Sequence, residues 1–453
     1  MQDRQEIRVS QLLDDYGVSS FHIKLIVWTV LIVLVDGYDI GCIAFAAPEL
    51  LKAWHANPGQ LGPVLGSALI GILFGSALFG WIGDRYGRKA AMIGSLLTFG
   101  VFTLLGVWAT SLDQMFWLRL LAGIGIGGIV PNVVAINAES APRRLRGTLA
   151  LIAVGFVPLG AAFAGLVSWL FVAKFGWQIL FWVGGLAPIA LALVAIIGMP
   201  ESIKFMALRE AQWPRLQALL KSVYPQATIP GNVRFVIEDE KQYPGFNPAH
   251  LFKDGLAIIT PLVWLVFALN LMAYFFLLSW TPTLLTNAHL PRESAALATT
   301  LLQIGGTVGA LLMCNWINRQ GFLAISLLFL LSVPVVGSIG FTGISSEPAL
   351  MISAFFAGFF VLGIQSGLNV IGALIYSTSL RANGSGWELG LGRLGSLLGP
   401  LLGGLFVALP VQQLYMWSAV PLLVAALLCF IVDRLNRQRM AGQVAFTQPV
   451  AAE

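Results

Sequence analysis

Two carboxylates lie inside a stretch otherwise built for hydrocarbon. His22 to Ala47 reads HIKLIVWTVLIVLVDGYDIGCIAFAA, with Asp36 and Asp39 near its middle in Asp36-Gly37-Tyr38-Asp39. The stretch is long enough to cross a bilayer as a helix, which takes about 20 residues. At i, i+3 spacing both carboxylates leave one helix face. A lone carboxylate at that depth costs about 3 kcal/mol on insertion scales, so the two require water, a cation or a proton. Like charges this close raise the proton affinity of one of them, which is the chemistry of a proton carrier. The blander alternative is a pair buried against a basic residue for structure alone.

Two arginines fall inside apolar stretches as well, Arg119 and Arg393. Arginine keeps its charge and presents a planar fork that matches a carboxylate. Arg119 is placed toward the outer end of its span, at a depth close to that of Asp39. It is expected to pair with Asp39 and leave Asp36 as the proton carrier. Arg393 falls near mid-depth and is assigned to the carboxylate of a ligand; the structural alternative is a salt bridge to Glu388 or to an aspartate of the first span.

Twelve apolar spans position these groups. The first is 22–47, the fourth 114–138, the fifth 148–172, the seventh 257–285, the tenth 348–376, the eleventh 384–409 and the twelfth 413–432. The chain of 453 residues is 57% hydrophobic and 10% charged, against about 25% charged in soluble domains. This is an all-α membrane protein, and a nucleic-acid partner is excluded because the basic residues are parcelled into short loops. The polar segment before the first span gives no sign of a cleavable signal peptide. Residues 1–198 form an N-terminal six-helix half. Residues 199–255 form a basic, proline-containing central loop with one or two surface helices. Residues 256–453 form a C-terminal six-helix half with a short tail. Of the 26 Lys and Arg residues, 21 fall on the side of the termini and the central loop, which places both termini in the cytoplasm. Cys42, Cys314 and Cys429 show no metal-ligand spacing and read as small core residues.

The halves repeat. At an offset of 234, Asp36 meets Asn270, Gly75 meets Gly309, Arg85 meets Arg319 and Gly87 meets Gly321; one residue more aligns Gly123 with Gly358 and Arg146 with Arg381. Parallel six-span repeats around a midplane site are a transporter architecture. Asn270 in place of Asp36 assigns proton chemistry to the first half.

Gly80-Trp-Ile-Gly-Asp84-Arg85-Tyr86-Gly87-Arg88-Lys89 joins spans 2 and 3. Gly87 supplies a tight basic turn, and Asp84 is expected to cap the start of span 11, where a carboxylate is favoured. Glu139 lies 20 residues past Arg119, about 30 Å along a helix, so the two cannot pair. Glu139 is instead expected to meet Arg85 or Arg88, forming with Arg146 an inner gate. The alternative for these basic residues is that they only fix topology.

Taken together, the DGYD of span 1, GDRYGRK, the run from RLLAGIGIGGIVPN to ESAPRRLRG, Trp280-Thr-Pro282-Thr-Leu, and RANGSGW with GLGRLGSLLGPLLGG resemble the aromatic acid:proton symporters of the major facilitator superfamily. The resemblance implies uptake of a carboxylated aromatic, such as a hydroxybenzoate, with protons as the coupling ion. It puts functional weight on Asp36, Asp39, Arg119 and Arg393, and a central cavity is expected to be lined by spans 1, 4, 7 and 10 and by parts of 5, 8 and 11. Tyr38, Tyr274 and Trp280 would then offer ring contacts, and Asn270, Gln365 and Asn369 would bond ring hydroxyls. The chain departs from the family pattern at Glu388, where a small residue is usual, and at Ile40-Gly41. A monomer among lipids of a bacterial inner membrane is expected, with no metal or cofactor. No GxxxxGK[ST] run is present to bind ATP. The rival reading is a proton-driven antiporter exporting drugs or organic anions. A sensor or enzyme would need a catalytic constellation that the scattered His22, His55, His250 and His289 do not supply.

The charge bias generates a direct test. Lys174→Cys should react with an impermeant thiol reagent added to intact cells, whereas Lys221→Cys should react only after permeabilisation. The reverse pattern would invert the topology.

Overall fold

The computed structural model describes residues 5–226, 229–230, 233–236, 248–253, 255–376 and 381–447. Its helices are α1 (Val9–Tyr16), α2 (Ser20–Ala53), α3 (Leu61–Tyr86), α4 (Arg88–Leu105), α5 (Leu112–Gly127), α6 (Ile129–Ser140), α7 (Arg146–Val154), α8 (Val157–Phe175), α9 (Gln178–Gly198), α10 (Ile203–Ala207), α11 (Trp213–Val223), α12 (Ile259–Asn287), α13 (Arg292–Gln320), α14 (Phe322–Ser345), α15 (Glu347–Ile375), α16 (Arg381–Phe406) and α17 (Val411–Thr447). Among the described residues twelve helical stretches are long and apolar enough to cross a membrane. Span 4 is α5 followed by α6, and span 5 is α7 followed by α8.

Both divided spans carry the reason in their sequence. Between α5 and α6 stands Gly128, where an added Cβ would strike Phe79 and the Ser95 hydroxyl. Pro131 follows within the first turn of α6 and lacks the N–H for a helical bond. In span 5 the interruption falls at Gly155 and Phe156, just ahead of Pro158. The proline ring and its missing N–H disfavour a continuous ladder across that turn.

Contacts divide the chain into two units. The first comprises Met1–Ile40, Ile70–Gly160 and Gln178–Gly245. Its core runs from Met92, Leu96 and Phe99 on α4 through Ile126, Ile129 and Val133 to a cap built from the N-terminal segment and the central loop. There β1 (Gln5–Arg8) pairs in parallel with β2 (Val233–Val236), Ile7 opposite Phe235. Helix α1 buries Val9, Leu12 and Leu13 and turns Asp14 and Asp15 outward, while α11 adds Leu216 and Leu220 to the same core. The Tyr224 hydroxyl donates to the Gly17 carbonyl at 2.9 Å, tying the loop to the N-terminal segment.

The second unit comprises Gly41–Leu69, Ala161–Trp177 and Phe246–Glu453. Here α13 packs on α15, α14 on α17, and α12 on α16. The far end of α2 and the start of α3 join it: Gly62 approaches the Pro400 carbonyl and Gly404, and Glu49 pairs with Arg292 at 3.7 Å.

The internal repeat is visible in backbone contacts. In the first unit a Cβ added at Gly71 would meet the Leu120 carbonyl, and one at Gly75 the Ile124 carbonyl. In the second unit Gly305 and Gly309 stand in the same relation to Phe355 and Phe359. Gly160 against Leu34 is likewise matched by Gly395 against Ala268. Each correspondence keeps the offset of 234 or 235 found in the sequence. Small residues let two helix backbones touch, which is how helices associate where no hydrophobic effect drives them together.

These approaches have an opposite-sign control. Gly75→Ala and Gly309→Ala should each lower the thermal midpoint in detergent by several degrees. Gly337→Ala has open space and should leave it unchanged or raise it, since alanine is the better helix former by about 1 kcal/mol. A uniform response of all three would disprove the packing role.

Candidate functional site

In the first unit α2, α4 and α5 bring Asp39, Thr103 and Arg119 together, each with 0–1% exposure. Arg119 Nη2 donates to Asp39 Oδ2 at 2.8 Å and Nη1 to Oδ1 at 3.1 Å, a two-pronged charge-assisted contact. Nη2 also donates to the Asp39 carbonyl at 3.1 Å, and the Thr103 hydroxyl donates to Oδ1 at 2.5 Å. The ion pair expected from depth alone is therefore present, and Thr103 is a partner the sequence did not disclose. Asp36, one turn back on α2, is 1% exposed. Tyr38 points elsewhere: its hydroxyl donates to the Leu180 carbonyl of α9 at 3.2 Å.

In the second unit a chain of amides replaces the charges. Asn270, the repeat counterpart of Asp36, donates to Gln365 Oε1 at 2.7 Å and to the Val361 carbonyl at 3.3 Å. Gln365 donates to Asn369 Oδ1 at 3.4 Å. The Asn270 oxygen is buried without a donor. Tyr274 is buried one turn further along α12. Trp280 is fully buried, donates to the Pro400 carbonyl at 3.0 Å and lies against Gly403, so it fastens α12 to α16. Arg393 is half-buried on α16, with its carbonyl accepting from Ser396.

The basic turn after α3 builds a second polar cluster. Of the two arginines weighed for Glu139, Arg88 makes the contact, Nη2 to Oε1 at 2.8 Å and Nε to Oε1 at 3.2 Å. Ser202 donates to the other oxygen at 2.6 Å. Arg85 instead lies over the rings of Trp81 and Tyr86, and its carbonyl accepts from Arg209. Asp84 is 72% exposed on its side chain and pairs with Arg88 at 2.7 Å. The cap expected of Asp84 on span 11 would fall beside 377–380, which lie outside the described residues, as do the side chains of Arg381, Asn383 and Cys314. Arg146 donates to the Ala141 carbonyl at 3.5 Å and lines, with Glu139 and Lys204, a cavity of about 150 Å³.

Glu201 is the residue that sequence reasoning missed. It accepts from the Lys89 N–H at 3.2 Å and so caps α4 from outside the helix. Gly87, the N-cap residue, has no side chain to do this. A Cβ at Gly87 would collide with the Glu201 carboxylate, and its φ of 111° already favours glycine. Burial raises the proton affinity of Glu201, while the N–H groups of Ser202, Lys89 and Arg88 oppose that rise. The missing cap was a signal in the sequence; which distant carboxylate would fill it was not. His22 is also buried here, its Nδ1 accepting from the Ser19 N–H at 3.1 Å, so Nε2 donates to the Ser140 carbonyl at 2.8 Å.

Residues 29–336 match the family described as the Major Facilitator Superfamily. The chain belongs to that superfamily. Within it the chain groups with the aromatic acid transporters. It is 31% identical to the 4-hydroxybenzoate transporter PcaK of Pseudomonas putida, over 89% of this chain and 90% of the relative. It is 30% identical to the gallate transporter of Pseudomonas putida, over 93% and 94%. Among solved structures, a bacterial homologue of the human lysosomal transporter Spinster superposes with a TM-score of 0.71 at 16% identity, over 93% of this chain and 99% of that one. The superfamily fold fits the twelve helices and the repeated glycine contacts, and its members are multi-pass membrane transporters rather than enzymes.

The Asp39–Arg119 pair is separable by a double-mutant cycle. Asp39→Asn leaves a buried guanidinium without its counter-charge and should destabilise the detergent-solubilised protein by about 3–5 kcal/mol. Adding Arg119→Gln should recover part of that loss. Additive losses in the thermal midpoint would mean the two residues are energetically independent.

Proposed function

We propose that the protein is a proton-coupled symporter that imports an aromatic carboxylic acid, such as a hydroxybenzoate, across a bacterial inner membrane with both termini inside. The substrate class is supported by relatives whose names specify 4-hydroxybenzoate and gallate and which align over about nine-tenths of the chain.

The Asp39–Arg119 pair carries the assignment of roles. Its carboxylate accepts two guanidinium N–H groups and the Thr103 hydroxyl. Both oxygens of Asp39 are committed by these bonds, so Asp39 is assigned as the structural counterpart of Arg119. The proton then belongs to Asp36, buried one turn away where a permanent negative charge is costly. With the fork of Arg119 engaged by Asp39, the substrate carboxylate is assigned to Arg393, and Arg119 acts through Asp39. The Asn270–Gln365–Asn369 chain supplies acceptors and donors for ring hydroxyls, the buried Asn270 oxygen first among them. Tyr38 and Trp280 hold helices together and are left out of the substrate site. The Arg88–Glu139–Ser202 cluster serves as the inner latch.

In proteoliposomes with an inward proton gradient, the wild type should accumulate labelled 4-hydroxybenzoate. Asp36→Asn should abolish accumulation and retain exchange, and Arg393→Lys should weaken equilibrium binding about ten- to a hundredfold. A bond to a charged group contributes about 1.5–3 kcal/mol, and lysine lacks the fork. Equal affinity of the wild type for the acid and its neutral amide would remove Arg393 from the site. Full accumulation by Asp36→Asn would remove the aspartate from coupling.

A further inference from the structure

Glu388 has no part in the arrangement above, yet it is a further carboxyl group, beside Asp36 and Asp39, inside a membrane-spanning helix. It is 1% exposed and its Oε1 has no hydrogen-bond partner. No Lys or Arg among the described residues stands within ion-pair distance of it. Arg393 is five residues on, about 140° round the helix at 3.6 residues per turn. The side chain of Arg381, two turns below, is outside the described residues.

Among the described residues the group that interacts with Glu388 is neutral: Tyr376, just past the end of α15, which stands against Thr260 and Trp264 of α12. The Tyr376 hydroxyl donates to Thr260 Oγ1 at 3.4 Å and feels the Glu388 carboxyl electrostatically. The Trp264 indole N–H is set toward the Tyr376 hydroxyl, and its ring stacks on Trp387 at 6.1 Å. On α17 the cation on this side is Arg439, which donates to the Ile375 carbonyl at 3.4 Å. A neutral carboxyl is the form that fits. Its O–H can donate to the lone pairs that Tyr376 retains, and its carbonyl oxygen can accept. An ionised carboxylate here would be an uncompensated buried charge, which proteins avoid by taking up a proton.

We propose that Glu388 is a second proton-carrying group of the transporter, protonated in this conformation and discharging its proton to water at the α16 start when α12, α15 and α16 loosen around it. Glu388 lies seven residues into α16, about 10 Å from the helix start, and so close to the aqueous face. The step is a simple ionisation: the carboxyl O–H bond breaks, the proton passes to water at the α16 start, and the carboxylate takes up its next proton only after the carrier has reopened to the opposite side. The proposal rests on the proton-coupled reading of the protein.

Two measurements test it. The first is the ratio of protons to 4-hydroxybenzoate from reversal potentials in proteoliposomes. Glu388→Gln, which copies the neutral form, should fold with unchanged thermal stability and lower the ratio by one, while Glu388→Asp should restore it. The second is the infrared carbonyl band of a protonated carboxyl at neutral pH. It should be present in the wild type, persist in Asp36→Asn, weaken in Glu388→Gln and be lost from the double variant Asp36→Asn/Glu388→Gln. A wild type that transports without protons would overturn the coupled reading itself. A coupled wild type whose ratio and infrared band are both unaltered by Glu388→Gln would overturn only the role of Glu388.

Discussion

Charge in hydrocarbon is the constraint on which the rest of this structure depends. A carboxylate or guanidinium at membrane depth is tolerated only with a counter-charge, a proton or water. Asp39 and Arg119 meet that requirement with two guanidinium prongs and a hydroxyl from a third helix. The contact also fixes where α2, α4 and α5 stand, because the fork is planar and each oxygen is committed. Asp36 then shares a helix face with a residue whose position is fixed, which is why the proposed function gives it the proton.

Holding such a pair requires helices that come close, and here the glycines matter more than the large apolar side chains. Leu, Phe and Ile line surfaces that lipid would solvate equally well, whereas Gly71, Gly75 and Gly160 admit a neighbouring backbone where any side chain would collide. Their repeat mates do the same in the second unit. Each half is thus built on the same backbone contacts, and the chemistry is laid over them: an aspartate in one, an asparagine bonded to a glutamine in the other.

Much of this was legible before the fold. Hydropathy gave twelve spans, and among the described residues twelve helical stretches are long and apolar enough to be spans. Depth along two antiparallel spans was enough to pair Arg119 with Asp39. What escaped has a common cause. Glu201 capping α4, Ser202 on Glu139 and the pairing of β1 with β2 all join residues more than 60 positions apart through polar contacts of one or two residues. Hydrophobic periodicity carries no information on such contacts. Strands of four residues are too short to show alternation, and a helix that starts on Gly87 reveals that a cap is needed without naming the donor of it. For the aromatic residues the structure adds partners that the sequence did not name: the Tyr38 hydroxyl donates to the Leu180 carbonyl and the Trp280 indole to that of Pro400.

The asymmetry between the repeats bears on coupling. Were both halves to carry the Asp36 type of group, two protons would bind at equivalent positions and nothing would distinguish loading from release. The substitution of Asn270 breaks that equivalence, because an amide cannot titrate, and its bond to Gln365 holds it in one orientation. Glu388 occurs on a different helix, nearer one end of its span, and is buried beside Tyr376 with no ion pair among the described residues. In the proposed function that difference becomes a division of labour: Asp39 holds Arg119 and the helices around it, and the proton-carrying role falls to Asp36 and Glu388.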